Sequence, residues 1–333
     1  MVTGLALGRL LPGLNESLDK IKIDTTSLPI AIGLLGMMYP VLAKVRYNRL
    51  GDVTADKPMV VSSLLLNWIV GPALMFAMAW IFLPDLPEFR TGLILVGLAR
   101  CIAMVLIWNS LAYGDGEAAA VLVVINSIFQ VAAYSLLGYF YLELLPGWLG
   151  LEQLSINFEI WDIAKSVLIF LGIPLAAGFL TSVIGRRKKG DVWYDNEFIP
   201  RIGPFALYSL LFTVVVLFAI QGESITSQPL DVVRIVIPLL AYFALMWTAA
   251  FAWGRLQNLG YPKTATLAFT AAGNNFELAI AVAIATFGVE SGQALAGVVG
   301  PLVEVPVLVG LVYVSLWARS QFFSEAPTYP GPL

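Results

Sequence analysis

The chain has no histidine and only one cysteine in 333 residues. Without histidine, the commonest metal ligand and neutral-pH proton carrier is missing, so any proton traffic falls to carboxylates, Lys, Tyr or Cys. A single thiol excludes an internal disulfide, and no Cys/His spacing suits a metal site or implies a cofactor. Charge is also scarce: 12% of residues are Asp, Glu, Lys or Arg, and the net charge is −3. With no basic stripe, nucleic acid is excluded as an expected partner. No hydrophilic stretch is long enough for a separate soluble domain.

What the chain does have is apolar sequence. Hydrophobic residues make up 59% of it, and the mean hydropathy is +0.84, which puts it in the membrane class. Runs able to cross ~30 Å of hydrocarbon are read at 25–44, 59–83, 91–112, 117–145, 162–184, 203–221, 233–254, 264–288 and 293–317. Val2 to Leu14 reads as a further first span, short at its amino end, which makes ten. Lys44, Arg46, Arg49 and Lys57 fall in one connection, and Arg186 to Lys189 in another. Arg255, Lys263 and Arg319 fall on the same side if the connections alternate. The positive-inside rule makes that side cytoplasmic, with both termini on it, in a multi-pass cell (plasma or inner) membrane surrounded by lipid.

An offset of 174 residues brings two halves into register. It places Arg100 on Asn274, Cys101 on Asn275, Asn126 on Gly300 and Gln130 on Glu304, without a gap across two spans. Five spans per half is an odd number, so the halves should be inverted. The expected fold is an all-α membrane protein of two inverted five-helix repeats, 1–145 and 162–319. A linker at 146–161 lies outside the cell, and a tail at 320–333 inside. Discontinuous fourth and ninth helices cross near the midplane, where transporters of this plan bind cargo.

Polar residues gather at that depth. Arg100 and Cys101 lie in the fourth span, Asn126 and Gln130 one turn apart in the fifth, Asn274, Asn275 and Glu277 in the ninth, and Glu304 in the tenth. A charge at mid-bilayer costs about 2.5–3.5 kcal/mol on insertion scales, so Arg100, Glu277 and Glu304 each need a partner, a wet cavity or a task. Arg100 either activates the neighbouring thiol or neutralises Glu277 or Glu304. Ala271 to Asn275 is poor helix material, and such a break is tolerated only where it lines a cavity or is covered by protein. Glu304, between Pro301 and Pro306, has the character of a proton carrier. Asp115 and Asp195 lie in connections, so the acid–base set of an intramembrane enzyme is not expected.

These residues form a recognisable set. Ala99-Arg100-Cys101 through Trp108-Asn109 resembles the cysteine-bearing motif of the arsenical-resistance permeases, in the superfamily of bile-acid and riboflavin transporters. Asn274 through Ala281, Gly300 through Pro306, and Leu28 through Pro40 resemble that family's other signatures. The resemblance implies export of arsenite, and of antimonite as a second cargo, in exchange for protons. It makes Cys101 the arsenic(III) ligand, with Arg100, Asn274, Asn275, Gln130 and Asn126 around the substrate and Glu304 and Glu277 in proton coupling. The rival expectation is a sodium-coupled organic-anion carrier of the same superfamily, with Asn274, Asn275, Glu277 and Gln130 as oxygen ligands.

Overall fold

The computed structural model describes residues 4, 6–7, 22–23, 26–45, 47, 56–151, 160–220 and 229–323. Among them the architecture is helical, apart from a two-residue antiparallel pair, Lys22–Ile23 with Thr26–Ser27, ahead of the first helix. The helices are α1 (Leu28–Ala43), α2 (Lys57–Phe82), α3 (Pro87–Leu98), α4 (Met104–Leu111), α5 (Gly116–Trp148) and α6 (Ile160–Lys189). They continue with α7 (Asp191–Ile220), α8 (Pro229–Leu256), α9 (Tyr261–Ala272), α10 (Phe276–Phe287) and α11 (Gly292–Phe322). Helices α2, α5, α6, α7, α8 and α11 are long and apolar enough to span a bilayer. The molecule is a multi-pass membrane protein.

Seven of the expected spans are single helices, and the other two are broken. The span read at 91–112 divides into α3 and α4, and that at 264–288 into α9 and α10. Most of the span expected at 2–14, residues 152–159 of the linker expected at 146–161 and residues 324–333 of the tail expected at 320–333 lie outside the described residues. Three helix ends differ from expectation. α5 runs on to Trp148, α11 to Phe322, and α7 begins at Asp191 rather than near residue 203. The basic run Arg186 to Lys189 is therefore the last turn of α6, where cations suit the helix dipole. Gly190 makes the turn into α7 at φ 87°, a conformation other residues rarely adopt. Asp195, expected in a connection, is inside α7 and pairs with Arg186 at 2.6 Å.

Prolines explain how the long helices stay continuous. Pro72, Pro146, Pro174 and Pro200 each follow a widened turn, at Leu66–Val70, Phe140–Leu144, Leu168–Gly172 and Tyr194–Phe198. The backbone N–H groups of Gly71, Leu145, Ile173 and Ile199 reach back five residues instead of four. This extra residue relieves the clash a proline ring makes with the preceding turn.

Small residues let helices approach closely, as is common between membrane helices. Gly33 and Gly36 of α1 lie against Thr213 and Ser209 of α7, and Gly178 of α6 lies against Leu42 and Ala43. The Tyr194 hydroxyl donates to the Ala43 carbonyl at 2.9 Å. Helices α1, α6 and α7 thus form one group, leaning on the broken helices.

One end of the molecule gathers the basic residues. Lys263 pairs with Asp56 at 2.5 Å, and Arg319 sits over the rings of Tyr113 and Tyr261. Arg255 sits over Phe322. At the other end Arg234 pairs with Asp85, and the Glu88 carboxylate accepts from Gly292 N at 3.0 Å.

Candidate functional site

The two breaks meet back to back. Cys101 N donates to Gly273 O at 3.3 Å, and Asn275 N donates to Ala99 O at 3.0 Å. Arg100 and Asn274 thereby form an isolated antiparallel bridge. These are the same two residues that the 174-residue offset superposes, and the offset also carries α3 onto α9 end to end. Extended backbone at membrane depth leaves N–H and C=O groups needing partners, and each break supplies them to the other.

The side chains repeat the pattern. Gln130 Oε1 accepts from Arg100 N at 2.5 Å, and Glu304 Oε1 accepts from Asn274 N at 3.4 Å. Cys101 Sγ accepts from Val105 N at 3.3 Å, and Asn275 Oδ1 accepts from Leu278 N at 3.0 Å. The amide is the N-cap of α10, and the thiol, two residues ahead of Ala103 at the N-cap of α4, takes a donor in that helix's first turn. Both half-helices direct the positive ends of their dipoles into the crossing.

A cavity of ≈ 20 Å³, room for little more than one water, opens at the thiol. It is lined by Cys101, Asn274, Asn275, Glu277 and Glu304, together with Met37, Met38 and Val41 of α1 and Met104 of α4. The buried Asn274 and Asn275 Nδ2 donors have no partner among the described residues. Towards the basic end lies a vestibule of ≈ 780 Å³, lined by Lys44, Asn109, Tyr113 and Asp115 among others. Val41 lines both spaces.

Five of the eight site residues expected from sequence meet around the small cavity. Arg100, Asn126 and Gln130 do not line it. The Arg100 guanidinium turns away towards α8 and the carbonyl ends of α3 and α9. Its Nη1 donates to the Tyr242 hydroxyl at 2.9 Å and to Ala271 O at 3.4 Å, and its Nη2 to Gly97 O. Among the described residues no ion pair joins it to Glu277 or Glu304. Asn126 Oδ1 accepts from Trp68 Nε1 at 3.1 Å, and Gln130 is committed to the Arg100 backbone. Arg100 and Gln130 hold the crossing from behind, while Asn126 ties α5 to α2.

Sequence reasoning missed Tyr242 and the methionines. The Tyr242 hydroxyl accepts from Arg100 and donates to Asn274 Oδ1 at 3.4 Å, bridging the breaks from α8. A lone tyrosine in an apolar span carries no signal of this. Met37 and Met38 were visible only within a motif.

Broken helices crossing within a multi-pass helical protein, with carboxyls and donors unpartnered among the described residues facing one cavity, are the arrangement of a membrane transporter. The family model described as the sodium bile acid symporter family matches residues 31–228. The chain belongs to that family, among its arsenical-resistance permeases. It is 56% identical over 331 residues to the arsenical-resistance protein Acr3 of Corynebacterium glutamicum, covering 99% of this chain and 90% of that one. It is 31% identical to the arsenical-resistance protein Acr3 of Alkaliphilus metalliredigens, over 97% of this chain and 90% of that one. An uncharacterized transporter of Synechocystis sp. is 36% identical, over 94% and 84%.

Proposed function

We propose that the protein exports trivalent arsenic from the cytoplasm, as arsenite with antimonite as second cargo, in exchange for protons. One observation carries the reading: a buried thiol faces a cavity shared with two unpartnered amide donors and two carboxyls. The names of two relatives point to the same cargo. The fold is taken as two inverted five-helix halves, 1–145 and 162–319, with the basic end and both termini in the cytoplasm.

Arsenite at neutral pH is a small uncharged trihydroxide with a preference for sulfur. In the proposed step the Cys101 sulfur forms one S–As bond as one As–O bond breaks. The thiol proton leaves with the displaced hydroxide as water. Asn274 and Asn275 donate to the two remaining hydroxyl oxygens. A single sulfur allows release, where three would trap the cargo. Arg100 and Gln130 act indirectly, by holding the backbone that presents Cys101, and Asn126 by fixing α5 against α2. Proton entry from outside protonates Glu304 or Glu277 and disfavours the loaded state, which gives the inward and outward forms their difference in affinity.

The test is arsenite uptake into everted vesicles. Cys101→Ser should abolish uptake with the amount and melting of the protein unchanged, and full uptake would sink the thiol step. The sodium-coupled reading gains only if an organic anion is taken up with sodium while arsenite is ignored.

A further inference from the structure

We propose that the Arg100 guanidinium is a fixed cation occupying a carbonyl-lined cation site at the crossing, so that the protein needs no coupling sodium ion. The inference deepens the transporter reading by addressing its coupling ion, and it rests on that reading.

The ends of α3 and α9 are half-helix carboxyl ends at membrane depth. Their last carbonyls have no intrahelical donors and carry the negative ends of two dipoles. In broken-helix transporters such carbonyls coordinate the coupling cation. Here the Arg100 guanidinium takes them. It donates to Gly97 O near the end of α3, to Ala271 O in the last turn of α9 and to the Tyr242 hydroxyl of α8.

The position is built for this side chain. Arg100 is fully buried, and an unpaired charge so deep is costly unless oxygen dipoles surround it. Gly71 of α2 makes the room: a Cβ there would lie 2.8 Å from Arg100 Nη1 and 3.2 Å from the Tyr242 hydroxyl. With no carboxylate paired to it among the described residues, the charge is balanced by the two helix ends and the hydroxyl. A planar fork suits several fixed acceptors better than an ammonium does. The thiol and both carboxyls stay on the cavity side, untouched by the guanidinium.

The test uses full-length protein in detergent without arsenite, so it reads the cation site even if the cargo reading fails. Thermal midpoints are measured in choline chloride, then with sodium chloride, with millimolar guanidinium, or with urea as the neutral control. The wild-type midpoint should not move with sodium or guanidinium. Arg100→Ala should melt several degrees lower in choline, and guanidinium or sodium should restore part of the loss while urea does not. A wild-type midpoint that rises with sodium overturns the proposal, as does a folded Arg100→Ala protein indifferent to both cations. If Arg100→Ala does not reach the membrane, Arg100→Lys decides. Its retained ammonium should keep the protein folded and sodium-indifferent. A Lys variant that folds only with sodium, or no better than Arg100→Ala, refutes the assignment.

Discussion

The two helix breaks share one hydrogen-bonding plan and differ in chemistry. In the first, Cys101 Sγ receives a first-turn N–H of α4 and the neutral Gln130 receives the Arg100 N–H. In the second, Asn275 caps α10 and the ionisable Glu304 receives the Asn274 N–H. The first break holds the thiol and a cation that faces away from it. The second holds amide donors and carboxyls facing the cavity. The same hydrogen-bonding plan thus serves two tasks: the first break supplies the sulfur, the second the groups that can exchange protons.

Making the two breaks alike should abolish that difference. The largest effect is expected from Cys101→Asn, which gives the first break the residue the 174-residue offset places opposite it. The asparagine side-chain oxygen can accept the Val105 N–H in place of the sulfur, so folding should survive while arsenite uptake into everted vesicles falls to background. Glu304→Gln copies Gln130 into the second break. The acceptor for Asn274 N is kept, and arsenite-driven proton movement, read with a pH-sensitive dye, should vanish. If movement persists, coupling rests on Glu277.

The next pair of substitutions concerns backbone contact. Gly273 faces Cys101 so closely that a Cβ would lie 2.9 Å from the Cys101 Cβ and 3.6 Å from Sγ. Gly273→Ala should cost about 1–3 kcal/mol through overpacking and displace the thiol, lowering both the melting point and uptake. Its counterpart by the offset, Ala99, already carries a Cβ. Ala99→Gly should cost only about 0.4–1 kcal/mol, mostly through the unfolded chain, and melting curves of the two variants test the contrast.

The smallest effect lies where α9 begins. The hydrogen bond from Lys263 holds the Asp56 carboxyl below its usual range. A depressed carboxyl adds stability above its unfolded pKa and loses it as pH falls through the folded value. Asp56→Asn should therefore lower stability by about 0.5 kcal/mol at neutral pH, given how exposed the pair is. The gap should close in acid, as melts at the two pH values will show.

Much of this was legible in the sequence. Span positions follow from apolar runs, and Gly273-Asn274-Asn275 announces a break by its poor helix propensity. Ala99-Arg100-Cys101-Ile102-Ala103 contains no glycine or proline, so only the repeat pointed to a break there. The direction of Arg100 was not legible, because Tyr242 and Ala271, which fix it, lie 142 and 171 residues away in sequence. The widened turns escaped notice because a proline in an apolar run reads as a kink or a stop, whereas here one extra residue absorbs it.

The tightness of the cavity at Cys101 sets a clock. Arsenite has four heavy atoms, and the space beside the sulfur admits one water. If the α1 face of Met37, Met38 and Val41 is the wall that yields, cargo reaches the thiol only while that face stands apart from the crossing. Turnover should then follow how often that face lifts rather than how tightly sulfur holds arsenic, and a stiffer or colder bilayer should slow export even with cargo in excess.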